Sequence, residues 1–255
     1  MISQYRSLPA EIKAQKSKMP VAYIGLGILE WHGEHNVAGL DGVKANGLAE
    51  KFAQRFGGVV MPPLYYGDNR QDICEIVFKP EIIKEATFDH TNLICEKIGY
   101  KLEDIQKNGR RSILNGSWKL WIDLMVHTFF QIESFGYKYI IPIPGHYPLF
   151  EPLDMAIERY KNEGGEGRIF VIKDTMFLDD GTSGDHAAKF ETSIMLALEP
   201  DLVDLSRLDE NTSIANIGVL GIDPRGNASA EFGNQILNKF YLILEKYFTI
   251  EGLIL

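Results

Sequence analysis

The stretch Val21 to Asp41, VAYIGLGILEWHGEHNVAGLD, constrains the fold most, because an apolar run rich in β-formers ends directly in a cluster of carboxylates and imidazoles. The run from Val21 to Leu29 predicts a central strand covered on both faces, and so a layered α/β domain with a mostly parallel sheet. Residues i and i+2 of an extended segment share a side. Glu30 and His32 can therefore aim at one point, with Trp31 turned away. Gly33 and Gly39 let the chain turn back, so that Asp41 returns to the same pocket from the start of the next helix. With two oxygens, Asp41 could bridge two cations. Imidazole and carboxylate without a thiolate is a donor set for zinc, manganese or iron. The same residues, taken alone, also read as a solvated rim at a strand end.

The rest of the chain repeats this arrangement. Residues 7–11, SLPAE, open a short helix with Pro9 at its first position. Residues 42–56 have helical apolar spacing and stop at Gly57 and Gly58, and Val59 to Met61 reads as a second parallel strand closed by Pro62 and Pro63. Strand, helix and strand in so few residues predict a βαβ unit. The loop 64–79 then leaves the sheet edge where ligands of open α/β sheets bind, which makes Tyr65, Tyr66, Asp68, Asn69 and Arg70 candidates to line a pocket. Residues 81–109 are helical in pattern.

A second helical run begins at Ser117, with Trp118, Trp121, Leu124, Met125, Thr128 and Phe129 as an apolar stripe and Gly136 as terminator. Tyr137 to Ile143 is a third strand, and Pro142 suggests that its end is not a central ladder position. Gly145 and His146 follow at once, placing another imidazole at the carboxyl end of a strand. Residues 152–162 are helical, 164–167 a turn, and 168–173 a fourth strand. Its exit delivers His186 in a Gly/Ser/Asp loop and Glu191 in the first turn of a helix ending near Pro200. An acid there is also what the helix dipole favours. A loop with Gly218, Gly221 and Gly226 precedes a closing helix over 228–248.

One domain over residues 1–255 is the expectation for this length. The net charge of -9 disfavours nucleic acid and anionic membranes as partners and leaves a small molecule. No signal-like or membrane-spanning run is apparent. Cys74 and Cys95 form no metal or redox motif, which fits the cytoplasm.

Read together, Glu30-Trp31-His32-Gly33-Glu34-His35, Gly39-Leu40-Asp41, Met61-Pro62-Pro63-Leu64-Tyr65-Tyr66-Gly67, Gly145-His146, the 186–193 segment HAAKFETS and Gly221-Ile222-Asp223-Pro224 resemble the collinear signatures of the creatininase (creatinine amidohydrolase) family. The resemblance implies a three-layer α/β/α sandwich, two divalent metal ions (zinc first, with manganese or iron as alternatives) and hydrolysis of an amide C–N bond. It also implies a homo-oligomer, often a hexamer. By the same resemblance, Glu30, Asp41 and His146 look like ligands of one metal and His32, Asp41 and Glu191 of the other, with His186 as the proton-transfer residue and Glu191 also counted in the catalytic set. Trp31, Tyr66 and Tyr147 are the candidates for substrate contact. Trp31 stands where most relatives carry glutamine, GDNRQDICE replaces a Ser-x-x-His-like loop, and Pro148 stands where creatininases carry glutamate, which points away from creatinine itself. These departures also leave open a member that keeps the fold for a binding or assembly role with an incomplete metal site.

Overall fold

The computed structural model describes residues 1–67, 91–104, 118–173 and 184–254. Asp68, Asn69, Arg70, Cys74 and most of the 81–109 stretch lie outside them. In chain order the elements are α1 (Pro9–Lys18), β1 (Val21–Leu26), α2 (Leu40–Phe56), β2 (Val59–Val60), α3 (Thr91–Ile98), α4 (Lys119–Ser134), β3 (Tyr139–Pro144), α5 (Phe150–Asn162), β4 (Arg168–Ile169), α6 (Lys189–Leu198) and α7 (Ala230–Ile250). The four described strands form one parallel sheet in the order β2-β1-β3-β4.

Every residue of β1 is buried, as a strand covered on both faces requires. Alternation along the strands then divides the core. Val21, Tyr23, Ile141 and Ile143 point to the face packed by α2, α6 and α7, through Phe52, Phe190, Phe240 and Phe248. Ala22, Ile24, Leu26 and Ile140 point to the opposite face, packed by α4 and α5 through Trp121, Met125, Phe129, Leu153 and Tyr160. The result is helix, sheet, helix. The stripe on α4 is narrower than its periodicity suggested: Leu124 is 41% exposed, and Thr128 is only half-buried.

β3 is an interior strand flanked by β1 and β4, and Pro142 stands near its end, beyond the regular register with β4. The reason lies in the direction of the missing N–H. Ile140 and Pro142 accept from Phe170 and Ile172 N–H on the β4 side, both at 3.0 Å, so the donor that Pro142 lacks would also face β4. Pairing with β1 is untouched, and the regular register with β4 ends at Ile169. The first strand likewise ends earlier than its apolar run, at Leu26, after which Gly27 N–H turns to the Leu64 carbonyl at 2.8 Å.

Two glycines set the position of α2 relative to the strand ends. A Cβ on Gly27 would collide with the backbone of Gly42, and one on Gly145 with the carbonyl of Asp41. Only because both are absent can the first turn of α2 settle across the carboxyl ends of β1 and β3. That close approach sets Asp41 between them.

Candidate metal centre

Glu30 and His32 follow β1, His146 follows β3, and Asp41 and Glu191 sit in the first turns of α2 and α6. All five are buried. Asp41 is at the middle: its Oδ1 is 3.2 Å from His32 Nε2 and its Oδ2 is 3.3 Å from His146 Nδ1. Glu30 Oε1 is 3.0 Å from His146 Nδ1 and 3.6 Å from His32 Nε2, while Glu191 Oε2 is 4.0 Å from His32 Nε2. These side chains make three overlapping groups, Glu30/Asp41/His146, His32/Asp41/Glu191 and Glu30/His32/His186, in each of which one donor atom per residue lies within 4.8 Å of the others.

The donor set suits divalent metal. Three carboxylates buried side by side repel one another unless positive charge sits among them. Asp41 Oδ2 is buried and makes no hydrogen bond among the described residues. His32 Nδ1–H donates to the Glu30 carbonyl at 3.2 Å, which turns its Nε2 inward with a free lone pair once the ring is neutral.

The same closeness of imidazoles and carboxylates governs the electrostatics of the cluster. Burial alone would depress His32 and His146, but the carboxylates overcome it: Asp41, Glu30 and Glu191 raise His32 to about 9, and Glu30 and Asp41 raise His146 to about 10. Burial alone would raise Glu30 and Asp41, yet the charges of His146 and His186 on Glu30, and of His32 and His146 on Asp41, hold both below the usual carboxylate range. Protons thus stand where a cation would.

His186 is fixed from three directions. Its ring stacks on His32 with centroids 4.4 Å apart, and its Nε2–H donates to the Trp31 carbonyl at 2.8 Å. Nδ1 then faces Glu30 Oε1, 3.6 Å away. Its backbone exchanges hydrogen bonds with Leu220 at 2.8 and 2.9 Å. The next residue, Ala187, holds a left-handed φ of 54°, uncommon without glycine. Its N–H donates to Glu191 Oε2 at 2.8 Å, and its carbonyl accepts from His35 Nε2–H at 2.9 Å.

The substrate-contact candidates do not gather equally. The Trp31 indole packs against Ile94 and Cys95 and donates to the Ile217 carbonyl at 2.8 Å. With His32, Glu34, Lys97 and Arg207 it lines a cavity of about 310 Å³. Tyr147 is half-buried with its ring edge-on to Phe150, and Tyr66 is 78% exposed. Tyr65 instead lies against Gly39 and Gly42.

Lys44 and Asp185, near the centre, escaped the sequence reading, and His35 entered it only within the motif that begins at Glu30. Lys44 is buried, and its ammonium contacts Glu191 Oε1. Its signal was a spacing of three from Asp41, which shares a helix face, but a lysine in a helix reads by default as solvated. Asp185 accepts from Phe190 and Glu191 N–H at 2.6 and 3.0 Å and so caps α6; burial, then the Glu191 carboxylate, raise it to about 8. His35 ties the loop after β1 to Ala187, and burial lowers it to about 4.

Against known proteins, the creatininase family model (creatinine amidohydrolase) matches residues 8–83 and 114–242. The creatinine amidohydrolase of Pseudomonas putida is 25% identical over 228 residues, covering 80% of this chain and 75% of that protein. A crystal structure of creatinine amidohydrolase (creatininase) superposes with a TM-score of 0.67 at 19% identity, covering 98% of this chain and 97% of the other. A manganese form of creatininase superposes at 0.65, with 19% identity and 98% of both chains covered.

Proposed function

Because the chain belongs to the creatininase family, we propose that it is a metal-dependent amidohydrolase, a single domain over residues 1–255, that hydrolyses a C–N bond of a small amide, lactam or formamide. The observation that carries this reading is the shared Asp41, whose two oxygens face the imidazoles of two different ligand groups. Glu30, Asp41 and His146 would hold one cation, and His32, Asp41 and Glu191 the other. Zinc or manganese suits donors of this kind, and the likeness to a manganese form of creatininase supports it. When bound, the pair supplies a water made acidic enough to attack near neutral pH and polarises the carbonyl it attacks.

The chain's own residues do the rest. Water adds across the C–N bond: oxygen goes to the acyl carbon, and the leaving nitrogen must gain a proton. His186 Nδ1 is the group placed to carry that proton, because Nε2 is committed to the Trp31 carbonyl and the tautomer is thereby fixed. The cavity beside Trp31 and His32 would admit the substrate; Tyr147 and Tyr66 are not among the residues that line it. Pro148 cannot supply the carboxylate that creatininases have at that position, so the substrate is an amide other than creatinine. A homo-oligomer in the cytoplasm completes the reading; no described helix is long and apolar enough to cross a membrane.

Asp41→Asn and Glu191→Gln should lose metal and hydrolysis of a cyclic-amide and formamide panel while the protein stays folded by circular dichroism. Full activity in metal-stripped Asp41→Asn protein would overturn the assignment.

A further inference from the structure

The motif from Gly221 to Pro224 supplies no residue to the metal-capable groups, yet Arg225 directly after it is bonded at every side-chain nitrogen. Its side chain is only 10% exposed. Nε–H donates to both oxygens of Asp223 at 3.0 Å, and Nη1 donates to the carbonyls of Asp209 at 2.7 Å and Asn211 at 3.1 Å. Nη2 donates to the Ile214 carbonyl at 2.9 Å and to Asp223 Oδ2 at 2.6 Å. One flat guanidinium thus gathers Ile214 and Asp223, the two ends of segment 214–223.

Between those ends the segment reaches the site. The Ile217 carbonyl holds the Trp31 indole, Leu220 is bonded in both directions to the His186 backbone, and the Ile222 carbonyl accepts from Lys189 N–H at the start of α6 at 2.9 Å. The Trp31 carbonyl in turn accepts from His186 Nε2–H at 2.8 Å. Core packing does little to hold this stretch, since of residues 209–222 only Gly218 is buried. Its place is set by polar bonds, and Arg225 supplies those that close it.

We propose that Arg225 is a positioning residue for His186, clasping segment 214–223 so that the imidazole meets the leaving nitrogen in one orientation. The inference rests on the reading of His186 as the proton carrier and adds what holds it there. Lysine cannot take over the task, because three donors around one point do not reproduce a planar fork. A reacting group displaced by about 1 Å can lose roughly a hundredfold in rate.

The test combines steady-state kinetics on the best-hydrolysed member of the cyclic-amide and formamide panel with amide hydrogen exchange, on Zn²⁺-loaded wild type, Arg225→Lys and Asp223→Asn. Arg225→Lys should lower kcat at least tenfold with KM changed less than twofold and metal content retained. Exchange at His186 and Leu220 should quicken at least tenfold while the amides of β1 keep their wild-type rates. Asp223→Asn, which leaves the three carbonyl bonds in place, should show the same pattern more weakly, and it decides the matter if Arg225→Lys fails to fold. Unchanged exchange at His186 and Leu220, an unchanged kcat, a loss confined to KM, or exchange quickened equally in β1 overturns the proposal. Any of these in an active enzyme sinks this inference alone, whereas a wild type inert across the panel sinks the hydrolase reading and the role of Arg225 with it.

Discussion

Loading the centre with metal should release protons in a number that the geometry sets. In the metal-free protein His146 is raised to about 10 and His32 to about 9, so near neutral pH both rings are cationic, whereas Glu30 and Asp41 are already ionised. Each nitrogen that faces the carboxylates must shed its proton before it can ligate. At about pH 7.5 those protons are favoured by about 300-fold on His146 and about 30-fold on His32, together a cost of roughly 5 kcal/mol at 1.36 kcal/mol per pK unit. Filling both positions should therefore release about two protons per chain. Apparent affinity should rise about tenfold per pH unit for each imidazole, until pH approaches about 9 for His32 and about 10 for His146. Calorimetric titration of stripped protein in buffers of different ionisation enthalpy measures the release as the slope of heat against that enthalpy. A slope near zero, or an affinity flat between about pH 6.5 and 8.5, would refute the argument.

The same shifts give the metal-free protein a pH-dependent stability. Raised histidines stabilise fully below their ordinary value of 6.5 and lose that contribution as pH climbs through about 9 and about 10, while the lowered Glu30 and Asp41 lose theirs only in acid. The Tm of stripped protein should fall from about pH 7 to about pH 10, and saturating Zn²⁺ should remove that fall; a Tm that climbs over this range contradicts it. Gly145→Ala puts a methyl group against the Asp41 carbonyl, so it should cost about 1–3 kcal/mol in denaturant unfolding and lower bound metal, where a neutral result would show that α2 can shift freely.

The convergence of Glu30, His32, Asp41, His146 and Glu191 was legible because each stands at a strand's carboxyl end or in a helix's first turn, where period and sheet rules give direction. The two-sided core was legible in the apolar runs of β1 and β3. Pro142 marked the end of β3 but not the side on which pairing stops, because that depends on which neighbour its missing donor would face, and register decides it. Lys44 stayed hidden because residue type predicts solvation, whereas its ammonium meets Glu191, far along the chain. The role of Trp31 divides between an indole the sequence displays and a carbonyl it does not, and it is the carbonyl that orients His186.

Residues 217–220 hold both ends of one linkage: the Ile217 carbonyl receives the Trp31 indole, Leu220 is laced to the backbone of His186, and the Trp31 carbonyl closes the loop on the His186 ring. Such a ring moves as a unit, so displacing one member carries the others along rather than parting them. Natural variation in length is then easier to accommodate outside 217–220 than within it, and descendants could reshape the mouth of the cavity from the neighbouring turns without displacing His186.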